Sequence, residues 1–122
     1  MRKSNEDLLR LKESLVNLLC FIDTIENGNV PDFYRYFDTM KHNIDIFFYT
    51  GSNDIEDFLP VLERDWDASH MVLLGVQYYD PRHSNPELDV LTCLQYAQLL
   101  ADVERFFENA IEEEYLDRRL II

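Results

Sequence analysis

The amino-acid sequence predicts an all-α fold, a compact up-and-down bundle of about five helices with a long C-terminal helix. Apolar and aromatic residues recur every three or four positions along most of the chain, which is the period of one helix face. The 122 residues include only three glycines and four prolines, and most of these fall between the periodic segments, where helices end. A chain of this length is expected to form one domain, residues 1–122.

The first predicted helix runs from about Asn5 to Asn27. Ser4 is a suitable N-cap residue, and Asp7 at the third position completes a capping box. The apolar positions step by three and four residues: Leu8, Leu11, Leu15, Leu18, Ile22 and Ile25. Asn27 followed by Gly28 supplies a left-handed stop. Because further apolar residues widen the stripe, we expect this helix to lie centrally in the bundle or at an oligomer contact.

The second and third predicted helices follow. The second begins at Pro31, and its buried face consists of Phe33, Phe37, Met40, Ile44 and Phe47. The third begins after Asn53 as the N-cap, with Glu56 at the capping-box position. Pro60 lies seven residues after that cap and lacks the N–H that a helix interior uses. Two alternatives stay open, a helix kinked at Pro60 or a helix that starts near Asp57.

Residues 68–80 fit either a helix or a strand. Positions 72, 76 and 79 share one helix face, whereas positions 72, 74, 76 and 78 alternate as in a strand. A lone strand finds no pairing partner elsewhere in this chain. The sequence therefore favours a helix in this segment.

The last predicted helix is the longest. Asn85 is expected to cap it, with Pro86 at the first helical position and Glu87 in the first turn. No glycine or proline occurs between Glu87 and Leu116, so a helix of about 30 residues is allowed. The predicted core side consists of Leu88, Leu91, Leu99, Val103, Phe106 and Ala110.

The chain is strongly acidic, with 24 acidic and 11 basic residues and a formal charge of −13. Residues 1–30 carry a net charge of −1, and each later quarter carries −4. Such a surplus opposes direct binding to nucleic acid or to an anionic membrane. No apolar run is long enough for a membrane span or a signal peptide, so we expect a cytoplasmic protein. The acidity either serves solubility alone or attracts a cationic partner.

The sequence predicts no catalytic residue, no cofactor site and no metal site. Its three isolated glycines exclude a phosphate-binding loop and a dinucleotide fingerprint. Two cysteines, Cys20 and Cys93, cannot form a zinc site or a disulfide framework by themselves. The histidines are scattered along the chain, as His42, His70 and His83.

Two arginine–histidine pairs resemble the active-site spacing of RNA-cleaving toxin domains of the HEPN type. In that family an arginine and a histidine are separated by four to six residues, and the pairs here are Arg64 with His70 and Arg35 with His42. The three residues after His70 differ from the usual continuation, and a negative surface opposes encounter with RNA. Ribonuclease activity is therefore the remote alternative.

The candidate partner-binding residues combine tyrosines with carboxylates. They form three groups: Tyr34, Tyr36 and Asp38; Tyr78, Tyr79 and Asp80; and Glu104, Glu108 and Glu112. Tyrosine is enriched at interfaces, and carboxylates around it steer a basic partner. Tyr34, Tyr36 and one of Tyr78 or Tyr79 are expected to point outward. The three glutamates share one helix face because they are spaced by four residues.

The segment Tyr78-Tyr79-Asp80-Pro81 resembles the Tyr-Tyr-Pro patch of immunity proteins against bacterial DNase toxins, which are small acidic helical bundles. The likeness covers four residues, one of them an additional aspartate, in a longer chain. It agrees with the function that the charge and the tyrosines indicate. That function is a non-enzymatic inhibitor or immunity-type protein that blocks a basic protein partner, such as a nuclease toxin or a nucleic-acid-handling enzyme.

Two further function classes remain. A phage-type nucleic-acid mimic would arrange carboxylates in phosphate-like rows, as Glu104, Glu108 and Glu112 begin to do. A structural scaffold would be a homo-oligomer, and a homodimer through the first helix is expected in that case because residues 1–30 are nearly neutral and rich in apolar groups. All three classes bind protein and none requires a cofactor.

Overall fold

A computed structural model of the chain describes residues 3–72 and 75–120, with side chains up to residue 107. The described residues form five α-helices and one 3-10 helix, and no strand occurs among them. The α-helices are α1 (Asn5–Glu26), α2 (Tyr34–Tyr49), α3 (Ile55–Met71), α4 (Pro81–Ser84) and α5 (Val90–Leu120), and the 3-10 helix is Val76–Tyr78. The predicted all-α bundle with a long C-terminal helix is confirmed.

Helix α1 lies at the centre of the bundle. It packs against α5 on one side and α2 on the other, and α2 packs in turn against α3. Its buried residues follow the predicted period: Leu8, Leu11, Leu15, Leu18, Leu19 and Ile22. The predicted central position of the first helix is therefore confirmed.

Both predicted ends of α1 form. The Asp7 backbone N–H donates to Ser4 Oγ, and the Ser4 backbone N–H donates to Asp7 Oδ2 at 2.8 Å, which completes the capping box. At the other end Asn27 adopts the left-handed conformation with φ 51°, and Gly28 follows with φ 82°. These caps satisfy backbone groups that the helix itself cannot pair.

The starts of α2 and α3 differ from the predictions by a few residues. The predicted start of α2 at Pro31 is wrong, because a turn precedes the helix and the Tyr34 N–H donates to the Pro31 carbonyl at 3.0 Å. Asp54, not Asn53, caps α3 and accepts the N–H of Asp57 at 3.2 Å. Helix α3 begins at Ile55 and continues through Pro60, whose ring is exposed.

The predicted helix over residues 68–80 is wrong. Helix α3 ends at Met71, and the 3-10 helix Val76–Tyr78 packs against α3. Residues 73 and 74 of the predicted helix lie outside the described residues. The Gln77 side-chain amide donates to the His70 carbonyl at 2.9 Å. Gly75 allows this close approach, because a Cβ atom there would lie 2.8 Å from the His70 carbonyl oxygen. Among the described residues that follow Met71 in this segment, 72 and 75–80, none belongs to a strand or an α-helix.

The predicted start of the last helix at Asn85 is also wrong. The Asn85 side chain donates to the Ile25 carbonyl at 3.1 Å and so contacts the end of α1. Helix α5 begins at Val90 instead, because Asp89 accepts the Thr92 N–H at 2.7 Å and caps it. Leu91, predicted to face the core, is 75% exposed. The remaining predicted core positions divide as follows: Val103 and Phe106 are buried, Leu88 and Leu99 are half-buried, and the side chain of Ala110 lies outside the described residues.

A row of parallel aromatic rings connects three helices. Trp66 of α3 lies parallel to Phe37 of α2, with 6.0 Å between ring centroids, and to Phe107 of α5 at 4.5 Å. Stacked aromatic pairs at these distances contribute about 0.5–1.5 kcal/mol each beyond their burial. The row joins α3 to α5 across the bundle.

We expect Leu15→Ala to lower the free energy of unfolding by about 2–5 kcal/mol, because the side chain is fully buried in α1 and its loss leaves a cavity. The adjacent Val16 faces outward, so Val16→Ala serves as the control, with a change within about 0.5 kcal/mol. Urea denaturation followed by far-UV circular dichroism measures both. Equal losses in the two variants would contradict the central position of α1.

Candidate functional site

The two adjacent tyrosines of the predicted patch point in opposite directions. Tyr78, at the end of the 3-10 helix, is 72% exposed. Tyr79 turns inward, and its ring makes edge contacts with Phe33 at 5.3 Å and with Tyr96 at 5.2 Å between centroids. Tyr78 is therefore the outward member of the pair.

A long-range hydrogen bond fixes Tyr79. Its hydroxyl donates to Glu26 Oε1 at 2.5 Å, across 53 positions of sequence, and so connects the 3-10 segment to the end of α1. Burial raises the pKa of the Tyr79 hydroxyl, and the hydrogen bond to the Glu26 carboxylate raises it further. A hydrogen bond to a charged acceptor is stronger than a neutral one, contributing about 1.5–3 kcal/mol.

Asp80 fixes the next turn of the chain. Its carboxylate accepts the Arg82 backbone N–H at 2.9 Å and caps α4, which has Pro81 at its first position. The Asp80 side chain is exposed, so the cap holds its carboxylate at the surface beside Tyr78. The sequence Tyr-Tyr-Asp-Pro thus combines an exposed ring, a buried ring and a positioned carboxylate.

These residues line a cleft of about 210 Å³ at one end of the bundle. It lies between the end of α1, the turn before α2, and the segment from the 3-10 helix to α4. Its lining residues are Glu26, Asn29, Pro31, Tyr78, Tyr79, Asp80, His83 and Ser84. We call it the tyrosine cleft. It has two carboxylates and two tyrosine rings, and neither lysine nor arginine is among its lining residues.

Two larger clefts have different chemistry. The cleft between α1 and α5, of about 350 Å³, balances three basic residues against three acidic ones: Lys3, Arg10 and Arg105 against Asp7, Glu13 and Asp102. The cleft between α2 and α3, of about 370 Å³, is lined by two aspartates, Asp54 and Asp57, and by no tyrosine. Of these three clefts, the tyrosine cleft is the one that combines negative charge with tyrosine rings.

The first predicted group, on α2, is not part of the tyrosine cleft. Tyr34 is half-buried against the core, and burial raises the pKa of its hydroxyl. The guanidinium of Arg35 lies 5.1 Å from the centroid of the half-buried Tyr36 ring. Asp38 forms an ion pair with Lys41 at 3.3 Å. The carboxylate of this group already has a basic neighbour on its own helix.

The third predicted group falls on the long helix α5. Glu104 is half-buried. The side chains of Glu108 and Glu112 lie outside the described residues. A row of three carboxylates along this face therefore stays a prediction.

Sequence reasoning missed five residues that line the tyrosine cleft. They are Glu26, Asn29, Pro31, His83 and Ser84. His83 lies only three positions after Asp80, so proximity to the patch was a usable signal. Glu26 had no such signal, because its contact with Tyr79 spans 53 positions of sequence.

The two histidines of the ribonuclease-like pairs bond within their own helices. His70 Nδ1 lies 2.8 Å from the Trp66 carbonyl oxygen, and His42 Nδ1 lies 2.9 Å from that of Asp38, so each ring nitrogen donates to the preceding turn. Arg64 lies 3.8 Å from the Asp65 carboxylate. Within the described ranges, no group of three or more His, Cys, Asp or Glu residues could hold a metal ion.

The fold and the tyrosine cleft define an acidic all-α bundle with an anionic, aromatic-lined cleft at one end. No protein-family model matches the chain, and comparison with curated proteins and with solved structures gives no match. Over the residues that the structure describes, no helix combines the length and the apolar character that crossing a membrane requires. Function is therefore inferred from the residues of the chain itself.

We expect Tyr79→Phe to lower the free energy of unfolding by about 1.5–3 kcal/mol at pH 7, because Glu26 loses its donor while the ring stays packed. Tyr78→Phe is the matched control, since its hydroxyl belongs to an exposed ring. Urea denaturation of both variants measures the difference. A loss in Tyr78→Phe as large as that in Tyr79→Phe would contradict the assignment.

The stabilities of the same two variants should also differ in their dependence on alkaline pH. The folded-state pKa of Tyr79 is raised above the ordinary tyrosine value of 10.0, so the unfolded chain ionises first and stability falls as pH rises above about 10. Tyr79→Phe lacks the hydroxyl that causes this loss. The free energy of unfolding of Tyr79→Phe should therefore fall less steeply above about pH 10 than that of Tyr78→Phe. Unfolding curves recorded from about pH 8 to about pH 11, on both sides of the ordinary tyrosine pKa, measure how steeply stability falls.

Proposed function

We propose that this chain is a small non-enzymatic binding protein of the inhibitor or immunity type, which acts in the cytoplasm by blocking a basic protein partner. The observation that carries the proposal is the tyrosine cleft. It presents two carboxylates and two tyrosine rings with no lysine or arginine in its lining, in a chain of net charge −13. A nuclease toxin or another nucleic-acid-handling enzyme has the basic surface that such a site would cover.

Electrostatic attraction supports the first step of this binding. A strongly anionic chain raises the rate at which it meets a cationic partner, and this effect falls with ionic strength. The three later quarters of the sequence, at −4 each, carry almost all of the charge. The partner is therefore expected to associate quickly at low salt and more slowly at high salt.

The tyrosine cleft supports the second step, in which a lysine or arginine side chain of the partner enters it. Asp80 and Glu26 supply opposite charge, and the exposed Tyr78 ring supplies a face on which a cation can lie. A guanidinium between a carboxylate and an aromatic ring can form an ion pair with the first and stack its planar face on the second. This residue of the partner would be the central anchor of the complex.

The cleft is fixed before any partner arrives. The Tyr79–Glu26 hydrogen bond holds its inner wall, and the contact between Asp80 and the Arg82 N–H holds its rim. Groups that are already ordered lose less conformational entropy on binding. This supports a site for recognition rather than a surface that must rearrange.

We expect Tyr78→Ala to weaken the complex with the basic partner by more than about 1 kcal/mol, which is at least about fivefold in the dissociation constant. The control is Tyr49→Ala, because Tyr49 is 93% exposed at the far end of α2 and is not part of the tyrosine cleft. Affinity capture from host lysate at low and high salt identifies the partner, and titration calorimetry measures the affinities. Equal weakening by both variants, or none by Tyr78→Ala, would count against the site.

Asp80→Asn tests the electrostatic part separately. It removes one charge from the cleft and keeps a side-chain oxygen that can accept the Arg82 N–H. We expect a slower association rate and a weaker salt dependence, with a smaller change in dissociation rate. A partner that DNA displaces from the complex would instead indicate a nucleic-acid mimic. Cleavage of RNA by the purified chain, lost in His70→Ala, would restore the ribonuclease alternative.

A further inference from the structure

The outer side of the first turns of α5 is an uncharged region of the surface. Residues 90–101 include no acidic and no basic residue, whereas 29% of the whole chain is charged. Their inner side contributes Tyr96 to the core. The outer side faces away from the bundle and has no partner among the described residues.

Large apolar side chains occupy that outer side. Val90 is 62% exposed, Leu91 75% and Leu94 59%. Val90, Leu94, Ala97 and Ala101 are spaced by four, three and four residues, so they form one stripe along the helix. We call it the α5 stripe. Exposed apolar groups that are contiguous and free of charge mark interaction surfaces.

We propose that the α5 stripe is the contact between two copies of this chain, packed antiparallel about a two-fold axis. Two molecules that each carry −13 repel each other wherever acidic surfaces meet. The α5 stripe lets them approach without placing carboxylates face to face. A basic partner, in contrast, gains no electrostatic attraction from an uncharged face.

The order of residues along the α5 stripe suits such a dimer. With the axis near Ala97, Leu94 of one copy packs over Ala101 of the second copy, a large side chain against a small one. The small side chain of Ala97 permits close approach at the axis. Asp89 lies before the first residue of the stripe and Asp102 after the last, where it pairs with Arg105 at 3.3 Å, so both carboxylates lie outside the stripe.

Helix α1 offers a less suitable surface for a second copy. Its two main apolar faces are already packed against α5 and α2. The outward Leu9 and Val16 remain, but the exposed Glu13 lies between them on the same side of the helix. A dimer through α1 would bury this carboxylate, which is costly without a partner. The expected homodimer contact therefore moves from the first helix to the last.

The dimer and the complex with a basic partner respond to salt in opposite ways. Salt shortens the Debye length from about 10 Å at 0.1 M to about 3 Å at 1 M, which weakens the repulsion between two anionic copies. Self-association through the α5 stripe should therefore strengthen as salt rises. In a standard interface each partner buries about 800 Å² of surface, and one helix face can bury less than this. We therefore expect a dissociation constant in the micromolar range.

Sedimentation velocity of the full chain over about 1 μM to 1 mM tests this contact. The expected result is a reversible dimer whose dissociation constant rises at least about tenfold in Leu94→Asp and stays unchanged in Val16→Asp, the control on the outer face of α1. Far-UV circular dichroism checks that both variants are folded. Ala97→Tyr provides a second disruption, because a bulky side chain near the axis prevents close approach without touching the core.

Three results would overturn the proposal. The first is a parent chain that stays monomeric throughout the concentration range. The second is that Leu94→Asp and Ala97→Tyr dimerise as well as the parent, and the third is that Val16→Asp abolishes the dimer. The last result would place the contact on α1. None of these outcomes depends on the tyrosine cleft, so the proposed function is tested independently.

Discussion

The side chain of Tyr79 joins most of the structural elements at one end of the bundle. Its ring contacts Phe33 before α2 and Tyr96 of α5, and its hydroxyl bonds to Glu26 at the end of α1. Because this side chain is anchored, the neighbouring Tyr78 and Asp80 emerge at fixed positions. The tyrosine cleft is thus a product of core packing, and its inner wall contributes to stability as well as to the site.

The sequence predicted the elements with a strong local signal. The leucine period and the Ser4 capping box defined α1, because both depend on residues a few positions apart. It failed where distant contacts decide the local structure. Asn85 would cap a helix in isolation, but here it bonds to the Ile25 carbonyl, and Asp89 caps α5 instead. Glu26 lines the tyrosine cleft for a similar reason, because its contact with Tyr79 joins residues that are far apart in the sequence.

The surface combines two kinds of region with different physical behaviour. Each quarter of the sequence after residue 30 carries a net charge of −4, whereas the outer side of α5 is uncharged over residues 90–101. Charge discourages indiscriminate association of like molecules and favours cationic ones. An uncharged apolar strip within such a surface limits self-contact to one place and one orientation. The two proposals therefore use separate parts of the molecule, and both can operate in the same chain.

The aromatic row through Trp66 has a practical consequence. The chain has a single tryptophan, and its indole lies parallel to rings from α2 and α5 at the point where three helices meet. Its fluorescence emission therefore reports on one defined location, free of contributions from other indoles. Any event that separates α3 from α5, while leaving the helices themselves intact, would change the colour of that emission before it changed the overall helical content.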